Sequence, residues 1–344
     1  MSASTLLTIA IPTWRRASFL AITLEQLRAE LSRCPDADRV EILVSDNCSP
    51  DETPDVVKRA MTVGLPVTYV RNQENIGSDA NIAQCFNLAS GRYVMILGDD
   101  DMPVDGVLER LLCLLSGGNF GVVCLRPYGF EQDFRREYPG GGGMEHMFSD
   151  PGRFLARIGP LMTLISACAV DKHLLPDVDA RQFCGGNLVQ VHLVIRAALA
   201  AKQNLFVDRY SVACKRNNSG GYDFSEVFVS SLGGVLDSYL GKGLTSTVIR
   251  AIEKRLLVGY FPFYLFRQRL AGTGSLPATY ERFHKRFAGR WLFHLWAAPI
   301  IRLPRPLALI WGGLAVFIGR IANGDLQRGI AFAASRLSRI GARP

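Results

Sequence analysis

Apolar residues recur along this chain in short runs that stop at polar or turn-forming residues, and stretches with a helical period lie between them. Leu6 to Ile11 (LLTIAI) predicts a first strand, ended by Pro12 and Thr13. Leu20, Leu24, Leu27 and Leu31 follow at spacings of four, three and four, which is one face of a helix. Val40 to Val44 predicts the second strand. Ser49 to Pro54 then supplies capping residues and an early proline for a short helix ending at Gly64. Val67 to Val70 is a third strand, Ile82, Cys85, Phe86 and Ala89 mark another helical face, and Tyr93 to Leu97 is a fourth strand. Four alternations of strand and helix in about a hundred residues predict an α/β fold with a doubly wound, mostly parallel sheet.

The pattern loosens further on. Met102-Pro103 is expected to open a helix, and Phe120 to Leu125, Leu161 to Val170 and Phe206 to Cys214 read as strands. Asp150-Pro151 caps a short helix, and Val191, Val194, Ile195 and Ala198 share a face of a longer one. Gly140 to Gly143 and Lys215 to Asp223 read as loops, the first lying over a cleft.

Each of the first four strands ends in residues able to reach a ligand: Thr13 and Arg15, Asp46 and Asn47, Arg71 and Asn75, then Asp99, Asp100 and Asp101. In open α/β sheets ligands sit beyond the carboxyl ends of the strands. Three adjacent carboxylates repel one another, and a divalent cation shared with substrate phosphates relieves them. An acidic turn leading into a helix is the plainer reading of the triplet. Neither a G-x-G-x-x-G nor a G-x-x-x-x-G-K-[ST] loop follows the first strand, which disfavours dinucleotide and P-loop sites.

The motifs IPTWRR (11–16), VSDNCSPDET (44–53), NQENIGSDANI (72–82) and ASGRYVMILGDDD (89–101), in this order and spacing, resemble family 2 glycosyltransferases of the GT-A fold over about residues 6 to 130. Within them the likeness is to abequosyltransferase-like bacterial enzymes of surface polysaccharide assembly. The resemblance implies an inverting, metal-dependent transfer of a sugar from a nucleoside diphosphate to a saccharide or lipid-linked saccharide. It implies that Pro12, Thr13 and Arg15 line the donor pocket, with Asp46, Asn47, Gly77, Asp79, Asn81 and Asp99 around the nucleotide. Mg²⁺ or Mn²⁺ is expected on Asp100 with Asp101, or on Asp99 and Asp101 if the frame shifts. Two departures stand out: Trp14-Arg15 replaces Tyr-Asn, and Gly98 takes the place of the first aspartate of D-x-D. The second keeps open a catalytically silent, sugar-nucleotide-binding subunit. Relatives commonly carry Glu-Asp at the start of the acceptor-side helix; here Gln190-Val191-His192 stands there, and His192 is the candidate base, its plainer reading being an ordinary helix residue beside the cleft. Asp171 and Asp179 are weaker candidates. A nucleotidyltransferase would need a glycine-rich, basic first loop, which is absent after Ile11.

Charge divides the chain. Residues 241–344 hold 17 Lys and Arg against 3 Asp and Glu, a balance of +14, which leaves −6 for the first 240 residues of a chain of net charge +8. This sets off a basic helical extension over 241–344, and the resemblance implies that 1–240 is the catalytic domain, with a donor half to about 130 and an acceptor half beyond it. Trp291 to Ile301 and the uncharged run Leu307 to Gly319 are apolar and flanked by arginine, but shorter than the roughly 20 residues of a spanning helix. They fit helices lying on a membrane surface, here its cytoplasmic face, or packing on the core. No nucleic acid is expected as a partner, because stacking platforms are not evident. The eight cysteines form no C-x-x-C pair and read as reduced thiols of a cytosolic protein. The five histidines show no metal-ligand spacing, and the run from Leu6 lacks the basic start of a signal peptide.

Overall fold

The computed structural model describes residues 4–140, 142–216 and 221–322. Gly141 of the glycine run and residues 217–220 of the second loop lie outside the described residues, as does the end of the basic extension. The chain forms two compact units that divide between residues 220 and 221. That break comes twenty residues before the boundary read from charge.

The first unit is built in the order β1 (Leu7–Thr13), α1 (Ala17–Leu31), β2 (Val40–Asp46), α2 (Thr53–Thr62), β3 (Val67–Arg71), α3 (Ser78–Leu88), β4 (Tyr93–Ile96), β5 (Met102–Pro103) and α4 (Val107–Gly117). There follow β6 (Val122–Phe130), β7 (Glu145–Phe148), α5 (Pro151–Ile158), β8 (Cys168–Asp171), α6 (Val189–Ala200) and β9 (Asn204–Lys215). The sheet runs β3-β2-β1-β4-β8-β6-β9-β5, with β7 also on β9. β3, β2, β1 and β4 are mutually parallel, β8 is antiparallel to β4 and β6, and β6 is parallel to β9. Leu20, Leu24, Leu27 and Leu31 of α1 join Val56 and Val57 of α2 and Leu108, Leu111, Leu112 and Leu115 of α4 on one face of the sheet. Each such leucine contributes about 1.5–3 kcal/mol through burial. Phe86 of α3 and Leu193 and Val194 of α6 pack with Val94 and Ile96 on the other face.

Two expectations need correction. Met102-Pro103 does not begin a helix: the pair forms β5 against Val212 and Ala213, because Pro103 tolerates an edge strand, and α4 starts only after Gly106. Leu161 to Val170 is a strand only from Cys168. Its first part is two 3₁₀ turns, Gly159–Thr163 and Ile165–Ala167, because Pro160 removes a ladder donor and Gly159 has a positive φ.

Beyond the sheet, the second unit is helical. A π turn (Glu226–Ser231) leads into α7 (Leu232–Ser238). α8 (Ser246–Arg255), a π turn (Leu256–Tyr260) and α9 (Phe261–Ala271) run on without a break. α10 (Leu276–Phe287), a π turn (Phe293–Ala297), α11 (Ala298–Arg302) and α12 (Arg305–Ala322) complete it. Phe261, Phe283, Phe287 and Phe293 form its aromatic centre. Buried Glu253 is held by Arg286 and Arg290, at 2.8 and 2.6 Å.

The approach to β4 is tight. Gly91 donates its N–H to the Thr8 hydroxyl at 2.8 Å, and a Cβ there would lie 2.7 Å from the Thr8 backbone nitrogen. Gly91→Ala should therefore cost about 1–3 kcal/mol, read as a lower urea midpoint at unchanged m-value. An unchanged midpoint would show that β4 can shift freely against β1.

Candidate active site

The crevice of this sheet lies between β1 and β4, where the winding direction reverses. Ala10 pairs with Ile96, and each chain continues three residues beyond that pair, so Thr13 and Asp99 arrive side by side. The Thr13 hydroxyl donates to Asp99 Oδ2 at 2.7 Å. Arg16 spans the two neighbouring carboxylates, with Nη1 at 2.8 Å from Asp99 Oδ1 and Nη2 at 3.2 Å from Asp100 Oδ2. Thr23 from α1 donates to the Asp99 carbonyl at 2.8 Å and fixes the turn from below.

Asp101, expected beside Asp100 at a metal, turns the other way into the core. Its carboxylate accepts from the Ser166 hydroxyl at 2.5 Å and from the Lys215 N–H at 3.2 Å. Ser166 also accepts the Gly98 N–H at 2.9 Å, so one 3₁₀ turn grips both ends of the triplet. A side chain at Gly98 would begin 3.1 Å from an Asp101 oxygen and 3.3 Å from one of Asp100. A side chain here would need these carboxylates to give by a few tenths of an ångström. Burial raises the Asp99 carboxyl to about 6, against the lowering effect of Arg16 and Thr13, and raises that of Asp101 to about 7 with help from Asp100. Among the described residues, no group of three or more His, Cys, Asp and Glu side chains gathers as a metal cage. Asp99 and Asp100 already share one cation, a guanidinium. A pair of this kind suits an ion that takes its remaining ligands from phosphate and water.

Asp46 has no accessible surface, and its carboxylate accepts from the Ser49 N–H at 2.8 Å and the Tyr69 hydroxyl at 2.7 Å, with Arg71 at 3.3 Å. Asn47 accepts from Ile76 N–H and donates to Asn75, and so folds the turn that ends at Gly77. Gly77 takes φ 86°, which suits glycine. Asn81 exchanges hydrogen bonds with Ser45. Pro12 is half-buried, and Arg15 is exposed in a left-handed conformation (φ 56°) with its N–H on the Ser49 hydroxyl. Asp79, at the start of α3, accepts from the Gly185 and Asn187 N–H groups, both at 2.8 Å. It thereby holds the loop that leads into α6.

On α6 the side chain facing the 3₁₀ turns is Gln190, whose amide donates to the Thr163 carbonyl at 2.7 Å while its buried Oε1 has no hydrogen-bond partner among the described residues. His192 stacks flat on Phe183, centroids 4.4 Å apart, and burial together with Arg196 holds its pKa below the ordinary imidazole value. Asp171 pairs with Arg92 opposite Tyr93, at the far end of β4 from the triplet, and Asp179 caps its own turn and accepts from Asn87. The Lys215 ammonium is directed to the Glu131 carbonyl, and Arg216 lies 3.9 Å from Glu131 and 3.8 Å from Glu137. Arg16, Thr23 and Ser166 are contributors that sequence reasoning missed. Arg16 lies inside a quoted motif and was legible as a second basic residue after β1, whereas Ser166 had no local signal.

The buried triplet carries a pH signature. With the Asp101 carboxyl lifted from its ordinary 3.8 to about 7, the folded protein keeps a proton that the unfolded chain has released. Its contribution to stability is complete below pH 3.8 and is lost as pH rises towards 7. In chelator, Asp101→Asn should flatten that loss, by on the order of a few kcal/mol between pH 4 and 7.5. Urea midpoints at both pH values check it; parallel slopes would mean that Asp101 is ionised throughout.

Residues 8–173 match the family model described as glycosyl transferase family 2. The GalNAc(5)-diNAcBac-PP-undecaprenol beta-1,3-glucosyltransferase of Campylobacter jejuni is 30% identical over 107 residues, 31% of this chain and 33% of that one. An uncharacterized glycosyltransferase of Methanocaldococcus jannaschii is 28% identical over 69 residues, 20% of this chain and 24% of that one. The chain thus matches a third or less of the length of these relatives. Among solved structures, Staphylococcus aureus TarS 1–349 in complex with UDP-GlcNAc superposes with a TM-score of 0.59 at 13% identity, over 93% of this chain and 92% of that one. The mannosyltransferase PcManGT from Pyrobaculum calidifontis, in complex with GDP-Man and Mn²⁺, gives 0.51 at 17% identity, over 94% and 88%. At such identities the likeness is one of fold. With the β1–β4 crevice and its carboxylates, it leads to one conclusion: over residues 8–173, just under half of its length, the chain is similar to glycosyl transferase family 2, on a fold like that of these solved structures.

Proposed function

We propose that this chain is an inverting glycosyltransferase that moves a sugar from a nucleoside-diphosphate donor to a hydroxyl of a saccharide or lipid-linked saccharide. The setting is surface polysaccharide assembly at the cytoplasmic face of the membrane, and the abequosyltransferase-like motifs favour a deoxysugar. The observation that carries this reading is the pair Asp99 and Asp100 converging on Arg16 at the mouth of the β1–β4 crevice. Support comes from one relative named as a glucosyltransferase of an undecaprenol-linked saccharide, and from structures of like fold solved with UDP-GlcNAc or GDP-Man.

In this reading Pro12, Thr13, Arg15, Gly77 and Asp79 border the donor. Asp46, Asn47 and Asn81 act on it indirectly, through the turn that they hold. Asp100, with Asp99, would hold Mg²⁺ or Mn²⁺, which when bound offsets the charge that grows on the departing diphosphate. Arg16 supplies positive charge at the same place. His192 is the proposed base: a depressed pKa keeps its ring neutral near pH 7 and able to accept the acceptor hydroxyl's proton.

The test is binding and turnover with a panel of nucleoside-diphosphate sugars and Mn²⁺. Asp100→Ala should abolish the metal-dependent rise in melting temperature and lower donor hydrolysis at least a hundredfold. Binding that survives the substitution would move the metal elsewhere. A second reading, a silent donor-binding subunit, is favoured by Gln190, an amide that cannot take a proton. Metal-dependent binding without turnover on any acceptor would establish it.

For the base, His192→Asn should cut kcat by about 10²–10⁴ with little change in KM. The wild-type rate should fall on the acid side with a midpoint under 6.5, as the ring protonates, and the variant should lose that limb. A retained limb would assign the base to another group.

A further inference from the structure

Helix α12 is built inside out. Ala308, Gly312, Ala315 and Gly319 are its buried residues, and they pack on α9 and the π turn before it. The approach is close enough that a Cβ at Gly319 would lie 2.5 Å from the Val258 carbonyl oxygen, and one at Gly312 would lie 2.9 Å from the Phe266 ring. The large apolar residues point outward: Leu307, Ile310, Leu314, Phe317, Ile318 and Ile321 are exposed, Ile310 by 72%. At 100° per residue these six fall within about a 100° arc that holds no charged residue. A helix that packs on protein in water buries its large apolar side chains and shows polar ones, so this stripe is fitted to a different neighbour.

Charge indicates which one. Exposed Arg302 and Arg305 stand at the N-terminal end of α12 and Arg320 near its other end, within a region of balance +14. A second copy of the same surface would bring these like charges together. A bilayer with anionic headgroups offers hydrocarbon to the stripe and phosphates to the arginines. At 18 residues the helix is about 27 Å long, and by length and composition it passes for a spanning segment. Its neighbour α9, however, carries Arg267 and Arg269, with Arg269 donating to the Leu303 carbonyl at 2.7 Å. Crossing would draw those charges into hydrocarbon, whereas lying flat leaves them on the water side.

We infer that the outer stripe of α12 is a membrane-docking surface that lies in the plane of an anionic leaflet, with its large apolar side chains in the acyl boundary and the flanking arginines on lipid phosphates. This deepens the proposed function by naming the surface on which a lipid-linked acceptor would be met, but it stands on the helix alone.

The experiment is flotation of the full chain with preformed vesicles, one set containing phosphatidylglycerol and one only phosphatidylcholine, with light scattering on the lipid-free protein. The chain should float with the anionic vesicles and at least tenfold less with the neutral ones. Ile310→Glu and Phe317→Glu should each lower flotation at least tenfold while melting as wild type does. Leu88→Glu, at an exposed apolar position of α3, should change nothing. Flotation unaffected by both stripe substitutions would overturn the inference. So would a lipid-indifferent dimer that Ile310→Glu splits, since the stripe would then be an interface between copies. Loss of donor binding in Asp100→Ala with flotation intact, or the reverse, separates failure of this surface from failure of the catalytic reading.

Discussion

Three carboxylates on consecutive residues, two of them removed from water, set the terms for the first unit. Desolvated aspartates persist only where donors or cations meet them. Here the partners come from separate parts of the chain: Thr13 and Arg16 from the end of β1, Thr23 from α1, Ser166 from a 3₁₀ turn and the Lys215 amide from β9. The turn after β4 is thus the point at which the parallel half of the sheet and its mixed half are tied together. Gly98 belongs to the same arrangement, since a side chain there would press on the carboxylates that follow it.

This also sorts the polar residues of the crevice into two kinds. Asp46, Asn47 and Asn81 are buried and bonded to the protein's own groups, where they hold the turns that follow β2 and β3. Asp100, Arg15 and Arg16 keep some exposure, and they place charge at the mouth of the β1–β4 crevice. Asp79 links the start of α3 to the loop before α6, so α3 and the entry to α6 share one anchor.

The second unit separates two uses of apolar side chains. Its interior is aromatic and stapled by the buried Glu253 and its two arginines. Its last described helix spends small residues on contact and leaves the large ones outside. The same count of apolar residues would give a very different surface if the two faces were exchanged.

The sequence by itself determined the alternation of strands and helices, the polar residues that end the first four strands and the acidic turn among them. Those features are local: strand and helix periods are written in consecutive residues, and Pro12, Gly77 and Gly91 mark their own turns. It also showed that the C-terminal region is basic and apolar. Only the tertiary structure decided that Asp101 faces the core while Asp99 and Asp100 share Arg16, because each orientation depends on partners that are distant in sequence, Ser166 and Lys215 on one side and Arg16 on the other. It decided too that Met102-Pro103 is an edge strand, since the pair needs β9 beside it. For α12, hydropathy counts the apolar residues, but only packing against α9 shows which of them are left facing out.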